Sequence, residues 1–259
     1  ALAKFDDAGA LLGKQRLENP AFNRWMKHNV SPHRVRGYAA VTLSTKTVGT
    51  PPGDVSAEQM DAVAAWASAF GFDEIRISHE QNFVLPHIPQ HQLYDLWQQA
   101  QSIGLGHFNA GLISDMICCP GGDYCSLANA KSLPVAEAIQ RRFADYDFQH
   151  DLGELDLNIS GCMNACGHHH VGHIGILGVD KKGQEFYQIS LGGHAGHSGE
   201  GPQLGQIIGP SVPRAGVCDV IEKVLLIFLD LRFEGETFLS CFNRIGIQPF
   251  KDGIYAKAA

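Results

Sequence analysis

Apolar and polar positions change period several times along the chain, and each change predicts an element. Residues 1–30 are mixed and poorly periodic, and read as a lead-in arm. From Val35 to Thr47 the β-branched and aromatic residues, with Tyr38, Val41, Thr42 and Leu43, predict a strand, and Pro51, Pro52 and Gly53 then force a turn. Ser56 and Gln59 have capping-box spacing, in which each side chain satisfies a free backbone N–H of the other residue. Met60, Val63, Ala64, Ala67 and Phe70 follow at helical spacing as a core stripe, and Gly71 ends that helix. Glu74–Ser78 alternates, with Ile75 and Ile77 on one face, and predicts a strand. A second helix carries Leu93, Leu96, Trp97, Ala100 and Ile103 and stops at Gly104. This β-α-β-α order predicts an α+β unit with helices on one face of a sheet.

A second region begins near Asn109. A helix is expected through Leu127–Phe143, with Pro134 as a kink or restart. Leu155–Ile159 alternates as a strand, and Val171–Val179 and Phe186–Leu191 predict two more. Gly192, Gly193, Gly196, Gly199, Gly201 and Gly205 form a glycine-rich stretch before a last helix, Val217–Leu231, apolar nearly all round and expected to be buried.

Composition narrows the function classes. The 259 residues are 44% hydrophobic and 18% charged, enough for one large domain or two small ones. A net charge of -7 argues against a nucleic-acid partner held by a broad basic surface. The longest apolar run, Val224–Leu229, is far too short for a membrane span. Ala1–Asp7 has neither the basic nor the apolar stretch of a secretory signal, so a cytoplasmic location is expected. With no Met at its start, the chain reads as processed or cut from something longer.

Seven cysteines, an odd number in a chain with no export signal, argue against a disulfide framework. Five of them, Cys118, Cys119, Cys125, Cys162 and Cys166, fall in two tight groups; Cys218 and Cys241 stand alone among apolar residues as expected buried thiols. Cys119-Pro-Gly-Gly-Asp-Tyr-Cys125 is a C-x5-C spacing and Cys162-Met-Asn-Ala-Cys166-Gly is C-x3-C. An iron–sulfur cubane needs four thiolates converging from separate segments, and a turn at Pro120-Gly121 can bring Cys119 and Cys125 together. Gly167 would let the backbone pass close to a bulky group beside Cys166. Structural zinc sites use shorter gaps, which disfavours zinc at the first pair. Spacing favours a cluster, with zinc and unligated thiols still open.

The segments Cys119-Pro-Gly-Gly-Asp-Tyr-Cys125-Ser-Leu-Ala128 and Ile159-Ser-Gly-Cys162-Met-Asn-Ala-Cys166-Gly167 resemble the paired signatures of the nitrite/sulfite reductase haemoprotein family. Pro51-Pro-Gly-Asp54 and Arg76-Ile-Ser-His-Glu-Gln-Asn82 also resemble its ferredoxin-like half-domain. The resemblance covers roughly Asn29 to the C-terminus. It implies an α+β chain: the arm 1–30, a ferredoxin-like half-domain 31–108, and a larger mixed α/β domain 109–259 for sirohaem and a [4Fe–4S] cluster. It implies Cys119, Cys125, Cys162 and Cys166 as cluster ligands, with Cys166 also bridging to the sirohaem iron. The implied reaction is the six-electron reduction of sulfite to sulfide, or of nitrite to ammonia. Electrons of that number come from cofactors, not side chains. The Cys119 loop and the Asn164–Cys166 turn look more like bacterial assimilatory sulfite reductases.

Further candidates are weighed individually. Asn164 is a candidate contact to the macrocycle rim or simply a turn cap. In Gly167-His168-His169-His170-Val171-Gly172-His173, strand alternation would point His168 and His170 one way and His169 the other. His168 and His170 are then sirohaem or proton-delivery candidates, against ordinary hydrogen-bonded histidines. Arg34 and Arg36, with Lys46, Arg76 and Lys131, are candidate partners for sirohaem carboxylates, against plain surface cations. Asp123 and Tyr124 are read as structural. The expected partners are a small anion and an electron donor, either a flavoprotein subunit or a ferredoxin. Family members carry two related halves and this chain resembles the second, so a missing N-terminal half or a partner chain is expected, and the isolated chain is expected not to turn over. Competing readings are a cluster-bearing electron-transfer module without sirohaem and a zinc-stabilised binding domain.

Overall fold

The structure, a computed structural model, describes residues 2–196 and 201–255, and side chains from residue 9 onward within those spans. Two units, 1–110 and 111–259, pack around separate cores.

The first unit opens with α1 (Leu2–Glu18) and α2 (Pro20–His28). Asn19 caps α2 by accepting the Phe22 N–H at 3.1 Å, and Pro20 occupies the first turn, where its missing N–H costs nothing. Phe22 and Trp25 are fully buried, so the expected arm is helical and part of the core. The pattern concealed this because Phe22, Trp25 and Met26 make a narrow apolar stripe among polar residues.

The sheet of this unit is antiparallel and runs β1-β2-β4-β3, with β1 (Val30–Pro32), β2 (Tyr38–Leu43), β3 (Arg76–Ile77) and β4 (Phe83–Pro89). On β2 the alternation buries Ala39, Val41 and Leu43 on one face. Between β2 and β3 lies α3 (Ala57–Phe70), which carries the full Ser56/Gln59 capping box and ends at Gly71. Its buried face is Val63, Trp66 and Ala67, and Met60, expected in the stripe, is half exposed. The strand expected over Glu74–Ser78 shrinks to the edge strand β3, with Ile77 67% exposed.

β4 escapes the sequence pattern because Pro86 and Pro89 argue against an inner strand. The prolines fit because β3 pairs only as far as Val84, and the β2 ladder is irregular between Ala39 and Val41, beside Pro86. The unit closes with α4 (Leu93–Ser102), which buries Leu93, Leu96, Trp97 and Ala100.

In the second unit, β5 (Ile117–Cys118) is followed by α5 (Leu133–Arg142), α6 (Tyr146–Leu152) and β6 (Leu157–Ser160). The helix expected from Leu127 starts at Leu133, with Pro134 in its first turn, so the proline marks a start. Next come β7 (Ile174–Lys181), β8 (Gln184–Leu191), β9 (Gln206–Ile207) and β10 (Val212–Pro213). The sheet order is β10-β8-β7-β6-β5, with β9 on β8; β5, β6 and β7 are parallel, and β8 turns back as a hairpin. Of the glycine-rich stretch, Gly199 lies outside the described residues.

Three helices finish the chain: α7 (Val217–Leu231), α8 (Phe238–Ile245) and α9 (Gln248–Tyr255). α7 was expected to be buried all round. It is amphipathic, with Val217, Val220, Ile221, Val224, Leu225 and Phe228 inside and Leu226 55% exposed. Among the described residues no helix is long and apolar enough to cross a membrane.

Candidate metal centre

The two cysteine groups meet because their strands are parallel neighbours. Cys118 pairs with Ile159, and both strands end at the same C-terminal end of the sheet, where loops converge. Cys119 follows β5 directly and donates its N–H to Ile159 O at 3.1 Å; Cys162 follows β6 by one residue. The loops are then stitched by backbone: Gly161 O accepts from Asn129 N (2.9 Å) and Ala130 N (3.0 Å), and Gly122 N donates to Ala130 O (2.9 Å). Cys119 and Cys162 are buried, Cys125 is half-buried and Cys166 is exposed. All seven cysteines are free thiols.

Cys119 Sγ accepts the Gly161 N–H at 3.1 Å and has Ser132 Oγ at 3.5 Å. Cys125 N donates to Gly121 O at 2.9 Å, closing the first loop over a short 3-10 turn at Gly121–Asp123. Asp123 pairs with Lys131 Nζ at 3.2 Å. Lys131 is further tied to β8, its N–H on Glu185 Oε1 (3.1 Å) and its carbonyl accepting the Tyr187 hydroxyl (2.7 Å). Asp123 thus braces the loop as expected, whereas the Tyr124 side chain is 82% exposed.

The second loop turns through Ala165 and His168, both left-handed at φ 56° and 53°. Gly167 N donates to Ser160 Oγ at 3.1 Å, and Asn158 Nδ2 to His168 O at 3.0 Å. A Cβ on Gly167 would collide with Ile159 O, so only glycine lets the chain return against β6. Gly167 therefore serves the return of the backbone, in addition to any group beside Cys166.

The histidine run is not a strand. His169–Val171 is a 3-10 turn, and β7 starts only at Ile174. The opposed pointing survives for a different reason: His168 and His170 are exposed and His169 is buried in the turn. Neither ring nitrogen of His169 has a hydrogen-bond partner, and burial, with His170 beside it, pulls its pKa down to about 4. Asn164 is exposed, next to Met163 at 82% exposure.

In the first unit Arg34 and Arg36 are exposed on the connection between β1 and β2. Arg76 is engaged by Glu74 at 2.6 Å. Lys46 is fully buried, with Nζ on Glu80 O (2.6 Å) and Asn82 Oδ1 (3.1 Å), so its ammonium holds the 80–82 turn.

Among the described residues no three His, Cys, Asp or Glu side chains gather as ligands of a single ion. A cubane makes a different demand, with its four thiolates spread over separate iron corners. Free thiols on two loops joined at one end of the sheet, one already receiving a backbone N–H, suit that demand. Gly161 and Ser132 were missed in the sequence. Ser-x-Pro at 132–134 is a legible helix-start signal, but nothing in it shows that the hydroxyl faces a sulfur.

Comparison with known proteins gives concordant matches. Residues 41–103 match the nitrite/sulfite reductase ferredoxin-like half domain, and residues 110–258 match the nitrite and sulphite reductase 4Fe-4S domain. A sulfite reductase [ferredoxin] of Mycobacterium tuberculosis is 32% identical over 250 residues, 90% of this chain and 44% of that protein. A ferredoxin–nitrite reductase of Synechococcus elongatus is 28% identical over 218 residues, covering 80% of this chain and 40% of its own length. The solved structure of the Mycobacterium tuberculosis NirA protein superposes with a TM-score of 0.68 at 26% identity, over 86% of this chain and 41% of that one. The chain spans less than half the length of these relatives.

Proposed function

Because the chain belongs to the nitrite and sulfite reductase haemoprotein family, whose cofactors are a [4Fe–4S] cluster and sirohaem, we propose that it forms the cofactor-bearing part of a ferredoxin-dependent sulfite reductase. The observation that carries this reading is the junction of the Cys119 and Cys162 loops at the ends of paired parallel strands, inside the segment matched to the 4Fe-4S domain.

In this reading Cys119, Cys125, Cys162 and Cys166 hold the cluster. The Gly161 N–H, 3.1 Å from Cys119 Sγ, donates to that sulfur. Burial of Cys119 and Cys162 keeps water from one side, and Cys166, exposed, would be the ligand accessible to the sirohaem. When bound, the cofactor pair would relay to a small anion the six electrons that an external donor provides. Asn164, His168 and His170, exposed on the same loop, offer hydrogen bonds to a carboxylate-rich macrocycle. Seven free thiols suit a reducing compartment such as the cytoplasm.

Sulfite is preferred because the relatives named for it span 28–33% identity, with all but one at 32–33%, against 27–28% for those named for nitrite. The same names support ferredoxin over a flavoprotein as donor.

The test is anaerobic purification followed by iron and sulfide analysis and an absorption spectrum. Sirohaem bands with cluster absorbance are expected, and Cys162→Ser should abolish the cluster. Cluster absorbance alone would reduce the protein to an electron-transfer module, and a colourless zinc protein would end the reading. If sirohaem is present, a higher kcat/KM for nitrite than for sulfite in the isolated reductase would reverse the substrate assignment.

A further inference from the structure

We propose that the Ser132 hydroxyl donates a hydrogen bond to the Cys119 thiolate and raises the reduction potential of the cluster bound there. The proposal rests on Cys119 being a cluster ligand, as argued above.

Ser132 sits at the N-cap of α5, where a serine ordinarily accepts an N–H from the second or third helical residue. Neither N–H is available. The second helical residue is Pro134, which has none, and the third, Val135, already donates to Ser132's own carbonyl at 3.1 Å. The side chain accordingly makes no capping bond, although the residue is fully buried. Its Oγ lies 3.5 Å from Cys119 Sγ. A thiolate has no proton to give, so the hydroxyl is the donor.

The position is enclosed by both cysteine loops. A Cβ on Gly121, two residues after Cys119, would collide with Ser132 Oγ, and a Cβ on Gly161, one residue before Cys162, would come within 2.9 Å of it. Two glycines thus leave room for this hydroxyl against the sulfur. The Gly161 N–H reaches the same sulfur at 3.1 Å, and α5 presents its positive end on that side. Each donor draws electron density from the sulfur and so favours the more negative, reduced cluster. Ser132 is a positioning and tuning residue, not a catalytic one.

The experiment uses the whole chain, purified anaerobically with its cluster, as wild type, Ser132→Ala and Ser132→Thr. Iron and sulfide content, midpoint potential by redox titration, and Fe–S stretching bands in H2O and D2O are read for each. Ser132→Ala is expected to keep its cluster, titrate at a more negative potential and lose part of the deuterium sensitivity, while Ser132→Thr, which retains a donor, stays close to wild type. An Ala variant that loses its cluster while the Thr variant keeps it at the wild-type potential also supports the proposal. A cluster-replete Ala variant with unchanged potential and bands would overturn it, and so would loss of the cluster in both variants, which makes Ser132 a packing residue. Wild type without a cluster refutes the functional reading itself, a result distinct from all of these.

Discussion

Gly167 closes the second cysteine loop onto its own strand, and the contact leaves no volume for a side chain. Gly167→Ala would press a methyl into Ile159 O and break the Gly167 N–H bond to Ser160. At the upper end of overpacking costs this is about 3 kcal/mol. Urea unfolding is the check, and a variant with wild-type stability and full iron content would show that the loop opens freely. The glycine was legible because it follows Cys166, but the atom it must avoid was not. The same holds for Lys46. In sequence it is one more cation, whereas in the fold it is buried and bonded to Glu80 O and Asn82 Oδ1. Burying an ammonium depends on carbonyls supplied by a distant turn, which local pattern does not encode.

At the scale of elements, the junction between α7 and α8 is held by one acidic residue. Glu236 accepts two bonds from Arg244 and a third from Phe233 N–H at 2.9 Å, and the Arg244 guanidinium stacks 3.9 Å above the Phe233 ring. Arg244 is the main cause of a Glu236 pKa pulled from the ordinary 4.5 down to about 2. A depressed carboxylate contributes stability that is fully present above the unfolded value and is lost as pH falls through the folded one. Melting temperature should therefore drop between pH 4.5 and about 2, and Glu236→Gln should be flatter across that window. Equal slopes in the two proteins would remove Glu236 from the account. Helices with strong local signals, such as α3 with its capping box, were readable residue by residue. α8 and α9 were not, because eight residues hold too few apolar positions to show a period. β4 was hidden by prolines whose tolerance depends on where β3 stops pairing.

At the scale of the whole molecule, each unit has its own apolar core. Phe22 illustrates how residues 1–30 join the first of these. It is fully buried, edge-on to Tyr94 at 4.9 Å and tilted against Trp97 at 5.3 Å. Phe22→Ala should destabilise this unit by about 3–5 kcal/mol, while cluster absorbance, which belongs to the second unit, persists at the same denaturant concentration. Unaltered unfolding would return residues 1–30 to the status of a loose arm.

The amino-acid sequence by itself determined the α+β class, the helices α3, α4, α5 and α7 among the nine described, and the family, and it singled out four thiols as a candidate donor set, because capping pairs, apolar periods and cysteine spacings are local. Only the tertiary structure decided that β5 and β6 lie side by side and parallel, which carries Cys119 to the loop of Cys162. It alone turned the Ser132 hydroxyl away from its helix and toward a sulfur. Parallel pairing joins segments far apart in the chain through backbone bonds that any residues can make, so it leaves no local trace.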